Sequence, residues 1–207
     1  MKDYTLTLIT PPGSEPISIS EAAGYMRVDT SDDAAYIQDI IKAAREYCEA
    51  FQRRAYITQT WELSLQEFPN GYNDRLNDCQ GSNIIELPKG SLQTVDSFTY
   101  TDYAGTIRTM TQNVNYILST RGVLGKLAPP YAVIWPPDPL FPLDPIVIKF
   151  TCGYGEPEDV PMKVKQAMYM LINYWYDNRP PSANSIPVEL ERALTALLSL
   201  ERIAVGS

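Results

Sequence analysis

The chain has 207 residues, with 17 basic against 25 acidic side chains and a net charge of −8. This length allows a hydrophobic core without disulfide or metal support, and the acidity disfavours a protein that wraps nucleic acid by neutralising phosphates. The chain contains no histidine, which removes the commonest general base and most zinc sites. We therefore expect no enzymatic activity and no catalytic, cofactor-binding or metal-binding residues.

The spacing of the cysteines and the lack of long apolar runs indicate the compartment in which the protein is made. Cys48, Cys79 and Cys152 have spacings that match no metal or redox motif, which favours reduced thiols, although the sequence leaves one pairing among them open. The N-terminus contains no signal-like apolar run, and no stretch of about 18 apolar residues occurs. We expect a soluble protein made in the cytosol.

The first 54 residues predict an extended arm, a short helix and a long helix. A Pro-Pro-Gly sequence keeps residues 1–17 out of a helix, and Ser18 with Glu21 forms a capping box that opens a short helix. The long helix spans residues 30–54, with Thr30 or Ser31 as its N-cap. Its predicted core stripe is Ala34, Ile37, Ile41, Ala44, Cys48 and Phe51.

Charged pairs on the long helix are predicted to lie on its outer faces. Lys42 with Glu46, Arg45 with Glu49, and Glu49 with Arg53 are spaced i,i+4. Each such exposed pair adds roughly 0.2–0.5 kcal/mol to helix stability. We therefore expect packing of the apolar stripe, and not these pairs, to hold the helix in place.

The middle of the chain predicts a mainly antiparallel sheet. The predicted strands are 57–65, 83–87, 95–101, 107–110, 116–118 and 146–151. A hairpin is predicted at residues 102–105, where Gly105 closes the turn. Two long loops, 69–82 and 129–145, interrupt the sheet.

Helical patterns return after Pro161. The stripe Val164, Met168, Leu171 and Trp175 predicts one helix, which we expect to pack on the long helix. A last helix begins near Pro187. The fold class is therefore α+β: a helical core with an inserted β subdomain, divided as residues 1–55, 56–155 and 156–207.

Two segments carry candidate interface residues. The loop at residues 129–145 offers aromatic side chains on a backbone that its prolines hold extended, so that little entropy is lost on binding. The last helix has apolar residues on more than one face. The interface hypothesis comprises Tyr131, Trp135, Phe141, Leu190, Leu194, Leu197 and Leu198.

Three weak motifs favour structural over chemical roles. Residues 122–126 have the wrong spacing for a phosphate-binding loop and predict a turn between strands, and residues 153–155 lack the third glycine of a dinucleotide fingerprint. Glu156, Glu158 and Asp159 precede a helix, where acidic side chains stabilise the N-terminal dipole.

Short motifs occur in a characteristic order along nearly the whole chain. They are ITPPGSEPIS at 9–18, EA at 21–22, MRVD at 26–29, RAYITQTWEL at 54–63, LP at 87–88, LQTV at 92–95, WP at 135–136, TCGYG at 151–155, VP at 160–161 and WYDNR at 175–179. Their order and spacing resemble the head-tail connector family of tailed bacteriophages. Cys152 and the loop at residues 69–82 depart from the usual pattern of that family.

The resemblance implies a structural protein of the virion neck. Such a connector forms a homo-oligomeric ring, expected to be a dodecamer, that docks on the portal protein and links it to the next neck or tail protein. DNA would pass through an acidic lumen without specific binding, and assembly would occur in the host cytoplasm, without a membrane. The alternatives are a monomeric carbohydrate-binding or glycan-hydrolysing module and a tail or baseplate component.

The net charge predicts that the isolated protein binds duplex DNA negligibly at physiological salt. Titration of a labelled duplex, followed by fluorescence anisotropy, should give no saturation up to about 10 µM protein, because an acidic protein releases no condensed counterions. A tight complex whose affinity falls steeply with salt would contradict this prediction.

Overall fold

The computed structural model describes residues 4–29, 33–69, 83–178 and 186–203. The fold is α+β, as predicted. The chain divides into a β unit, Met1–Pro11 with Gln59–Gly153, and a helical unit, Pro12–Thr58 with Tyr154–Ser207. In the described part of the chain, no helix combines the length and the apolarity that a membrane span requires.

These units differ from the predicted segments 1–55, 56–155 and 156–207 in two respects. Residues 56–58 and 154–155 belong to the helical unit, and the N-terminal arm belongs to the β unit. Residues Tyr4–Thr10 form a strand, β1, that pairs with the β unit and does not extend the helical core. Leu6 lies opposite Leu63, and Leu8 lies opposite Trp61. The alternation of Thr and Leu in this segment is the pattern of a half-buried strand, and the strand ends at Thr10, just before Pro11.

The β unit contains two antiparallel sheets. After β1 come β2 (Gln59–Leu65), β3 (Ile85–Leu87), β4 (Leu92–Thr101), β5 (Ile107–Thr109), β6 (Ile117–Ser119), β7 (Gly125–Ala128) and β8 (Ile146–Cys152). The larger sheet has the order β1-β2-β8-β4-β5, and the smaller has the order β3-β7-β6. Alternate side chains of the central strand β8 are fully buried, among them Ile146, Ile148 and Phe150.

The turn predicted at residues 122–126 ends earlier than expected, because Gly125 and Lys126 begin β7. Gly125 is required there by close packing. A Cβ atom at this position would overlap the side chain of Leu92. The glycine therefore serves a close approach inside the β unit.

The predicted hairpin at residues 102–105 is confirmed between β4 and β5. The carboxylate of Asp102 accepts hydrogen bonds from the backbone N–H groups of Ala104 (3.1 Å) and Thr106 (2.9 Å). Arg108 binds the second carboxylate oxygen at 3.2 Å. The Thr106 N–H, with the other hydrogen bonds, lowers the pKa of Asp102.

The helical unit contains α1 (Ile19–Met26), α2 (Ala34–Gln52), α3 (Met162–Asp177) and α4 (Val188–Leu198). The predicted capping box of α1 is confirmed, since Ser18 and Glu21 bond each other's backbone N–H groups. The predicted caps of α2, Thr30 and Ser31, lie outside the described residues. A left-handed residue, Arg53, ends α2.

The predicted packing of α2 on α3 is confirmed. Ile37, Ile41 and Cys48 of α2 are fully buried in one core with the stripe of α3. Trp175 is the last residue of the α3 stripe, and its ring meets the ring of Tyr47 of α2 edge to face, with centroids 6.1 Å apart. Burial raises the pKa of the Cys48 thiol to about 12, so it stays protonated.

The prediction that Arg45 and Glu49 lie on an outer face of α2 is wrong. Arg45 is 5% exposed and Glu49 is 8% exposed. Arg45 binds Glu49 at 2.8 Å and Glu15, from the segment before α1, at 2.7 Å. Burial disfavours the charged guanidinium, but its hydrogen bond to Glu15 and the charges of both carboxylates raise the pKa of Arg45.

The buried polar face of α2 continues to its last residue. Glu49 accepts the backbone N–H of Tyr56 at 2.8 Å, and the Tyr56 hydroxyl donates to Gln52 at 2.7 Å. Gln52 then donates to the carbonyl of Leu198, at the end of α4, at 2.7 Å. We call Glu15, Arg45, Glu49, Gln52 and Tyr56 the α2 polar network.

Ile41→Asp should destabilise the protein by on the order of 4 kcal/mol, because it buries an unpaired carboxylate in the helical core. Urea unfolding followed by circular dichroism measures this free energy. Ala43→Asp, an exposed site on the same helix, is the matched control and should cost less than about 1 kcal/mol. Equal midpoints for the two variants would contradict the role of α2 as the core helix.

Candidate functional site

The loop at residues 129–145 is anchored by Trp135. This side chain is 6% exposed, stacks on Phe68 with ring centroids 5.3 Å apart, and lies 5.9 Å from the ring of Phe98. Its indole N–H donates to the carbonyl of Asn83 at 2.9 Å. Trp135 was predicted as an interface residue, and the structure gives it a place in the core of the β unit.

Backbone hydrogen bonds attach the second half of this loop to the end of β4. The N–H of Phe141 donates to Thr101 at 3.1 Å, and the N–H of Thr101 donates to Pro145 at 2.8 Å. Tyr103 donates to Pro139 at 3.0 Å. These bonds and the Trp135 anchor hold the loop to the rest of the β unit.

Other apolar side chains of the loop remain in solvent. Tyr131, a predicted interface residue, is fully exposed, and Phe141 is 44% exposed. The predicted interface residues did not include Val133, Ile134 or Leu143, although Ile134 is 68% and Leu143 is 72% exposed. We call Tyr131, Val133, Ile134, Phe141 and Leu143 the loop surface. The signal that could have found the additional residues was their apolar character in a segment too rich in proline to form a strand.

The predicted interface residues of the last helix divide by burial. Leu194 and Leu198 are buried in the helical core, and Leu190 and Leu197 are partly buried against it. The exposed apolar residues of this segment flank that stripe: Val188 is 54% and Leu200 is 82% exposed. Residues Ser199–Glu201 form a 3-10 turn, in which the tighter winding departs from the α-helical stripe.

Ionic and polar contacts hold this C-terminal turn to the helical unit. Glu201 forms an ion pair with Lys163 and accepts the hydroxyl of Tyr154 at 2.7 Å, and Arg54 donates to that hydroxyl at 2.8 Å. Burial disfavours ionised Glu201, but hydrogen bonds from Lys163 and Tyr154 lower its pKa. Burial, with the hydrogen bond to Glu201, raises the pKa of Tyr154 to about 12. The contacts of Glu201 with Lys163 and with Tyr154 thus hold in place the turn that carries Leu200.

The acidic residues before α3 form a local turn. Asp159 accepts the backbone N–H of Glu156 at 3.0 Å, within a 3-10 turn at Pro157–Asp159. Among the described residues, no group of three or more Cys, Asp or Glu side chains could hold a metal ion. Cys48 and Cys152 are buried, and Cys79 lies outside the described residues.

Trp135→Ala should destabilise the β unit by about 3–5 kcal/mol, because it removes a buried ring and leaves a cavity beside Phe68. Tyr131→Ala removes a fully exposed ring of the same loop and should change stability by less than about 0.5 kcal/mol. Urea unfolding followed by tryptophan and tyrosine fluorescence compares the two. Equal stabilities would mean that Trp135 does not anchor the loop.

Comparisons with known proteins give similarity in fold. No model of a known protein family matches this chain, and no curated protein matches it. The neck of an empty gene transfer agent (GTA) particle, computed with C6 symmetry, and the virion of a native GTA particle each contain a similar chain. Both superpose with a TM-score of 0.73 at 20% identity, over 98% of this chain and 97% of that chain. The neck of a native GTA particle computed with C12 symmetry gives a TM-score of 0.69 with the same identity and coverage.

Proposed function

We propose that this chain is a structural protein of a virion neck, a head-tail connector that docks as a ring on the portal protein. The observation that carries the proposal is the likeness of fold to chains of GTA necks and virions, which extends over 98% of this chain and 97% of those chains. The ordered motifs of the sequence independently resemble the connector family. The ring also contacts the next neck or tail protein.

The two exposed apolar segments supply contacts for such an assembly. The loop surface and Leu200 each present large apolar side chains a few residues from a buried anchor. Interfaces are enriched in such side chains at their centres, and fixed segments bind with a small ordering cost. In the proposed ring, these segments contact neighbouring subunits or the portal.

The net charge of −8 suits a ring around exiting DNA, because a like-charged lumen does not hold the duplex. The alternative of a carbohydrate-binding or glycan-hydrolysing module used Trp135 and Tyr131 together with Glu156 or Glu158, and Trp135 was its larger stacking ring. That ring is 6% exposed and already stacked on Phe68, so it offers no free face to a sugar. No other observation favours that alternative or a tail or baseplate component.

Negative-stain images of the purified protein, alone and with portal protein, test the proposal directly. Rings of a fixed copy number, coaxial with the portal, are the expected result, and native mass spectrometry counts the subunits. A protein that remains monomeric with portal and with neighbouring neck proteins would contradict the connector role.

Tyr131→Asp and Leu200→Asp should each reduce the completion of infectious particles at least about tenfold, because a charge would be buried at a packed interface. Both residues are exposed, so circular dichroism and urea midpoints should match the parent. The measurement is particle titre when the variant is the sole source of the chain.

Val114→Asp is the matched control, since Val114 is 64% exposed and lies outside both segments. It should complete particles at the parental rate. If Tyr131→Asp and Leu200→Asp behave like this control, the interface lies elsewhere on the chain.

A further inference from the structure

Strand β1 forms one edge of the larger sheet. Its inner side pairs with β2, and its outer side meets no strand in the described part of the chain. In an antiparallel edge strand, alternate residues direct their N–H and C=O groups away from the sheet. The seven residues of β1 present such groups over a length on the order of 23 Å.

This edge lacks the features that usually prevent strand addition. Proteins protect sheet edges with charges, prolines, bulges or very short strands. The sequence of β1, YTLTLIT, contains neither charge nor proline, and its one irregularity lies near its end, between Leu8 and Thr10.

The opposite edge of the same sheet is protected. Its outer strand β5 has three residues and carries Arg108, which is paired with Asp102. The adjoining strand β4 has two register shifts against β8, and the charged residue Asp96 lies within the second of them. In the described larger sheet, β1 is therefore the edge open to pairing.

The side chains of β1 are incompletely covered. Residues that lie opposite each other in an antiparallel pair share a face, so Tyr4 and Leu6 lie on the face of the buried residues Leu65 and Leu63. On that face Tyr4 is still 45% exposed and Leu8 is 42% exposed. A further strand beside β1 would cover this remaining apolar surface.

We propose that β1 pairs antiparallel with β1 of a second copy of this chain, which joins two larger sheets across a two-fold axis. A two-fold contact requires a surface that is complementary to itself, and an uncharged strand opposes no like charges in any register. An axis through Thr7 sets Leu6 opposite the partner's Leu8. This pairing does not depend on the neck role.

The charge of the whole chain sets the salt dependence of this contact. Two chains of −8 repel each other, while the paired strands themselves carry no charge. Added salt screens the repulsion, so pairing strengthens as ionic strength rises. The contact area of one strand pair is small, so we expect a low affinity. Pairing should therefore be populated only at high protein concentration.

Amide hydrogen exchange of the intact protein, measured by mass spectrometry at low and high protein concentration, tests the pairing. Alternate amides of Tyr4–Thr10 should exchange at least about tenfold more slowly at high concentration, because new hydrogen bonds protect them. The central strand β8 should not change. Exchange in β1 that is independent of concentration would overturn the proposal, whatever larger assembly forms.

Charge variants identify the partner strand. Thr5 and Thr7 are exposed, and Thr5→Lys/Thr7→Lys or Thr5→Glu/Thr7→Glu would place like charges opposite each other at position 7 and diagonally between positions 5 and 7 in the two-fold pair. Each variant alone should lose the protection, and an equimolar mixture of the two should regain it. Thr106→Lys/Thr109→Lys, at exposed sites of the opposite edge, is the control and should keep it.

Protection that persists in the Lys variant alone, or that fails to return in the mixture, would mean that β1 pairs with a different segment, and would overturn the proposal. Circular dichroism verifies that the variants are folded. If a variant does not fold, the concentration dependence of exchange in the parent protein still decides. Rings without β1 protection would uphold the neck role and reject this pairing.

Discussion

The α2 polar network constrains the helical unit more tightly than its apolar contacts do. Arg45 and Glu49 are buried, so removing Arg45 leaves the carboxylate of Glu49 as an uncompensated charge, at a cost of about 3–5 kcal/mol. Apolar contacts tolerate small shifts, whereas these hydrogen bonds require specific atoms at 2.7–2.8 Å. Through Glu15, Tyr56 and the carbonyl of Leu198, the network fixes three other chain segments on α2.

The same network explains how the helical unit accommodates a long insertion. Tyr56, which the network holds, accepts the N–H of Tyr154 at 2.9 Å, and Thr58 donates to the carbonyl of Gly155 at 3.1 Å. The departing and returning segments are therefore neighbours that pair within the helical unit. Because both ends are held there, and because the entropic cost of loop closure grows only slowly with loop length, closure of the helical core depends weakly on the length of the inserted loops.

Local periodicity predicted much of this fold, and distant partners account for what it missed. The stripes of α2 and α3 and the capping box of α1 depend on residues three or four apart, and these predictions are confirmed. Arg45 was assigned to solvent because its partner Glu15 lies 30 residues away. Trp135 was assigned to an interface for the same reason, since Asn83 lies 52 residues away. Sequence spacing cannot reveal which distant group will remove a polar or aromatic side chain from water.

Burial separates two kinds of residue in the candidate site, namely side chains that anchor a segment and side chains that stay in solvent. In the loop, Trp135 is buried while its neighbour Ile134 is 68% exposed, and in the C-terminal turn Leu198 is buried while Leu200 is 82% exposed. An exposed side chain beside a buried one has its backbone fixed by folding. Binding through such a side chain therefore costs little further backbone entropy. A large loss of backbone entropy is the usual disadvantage of loops and chain ends as interfaces. The aromatic and leucine patterns of the sequence selected two segments as interface candidates, and burial decides which side chains of each segment remain available to a partner in the proposed assembly.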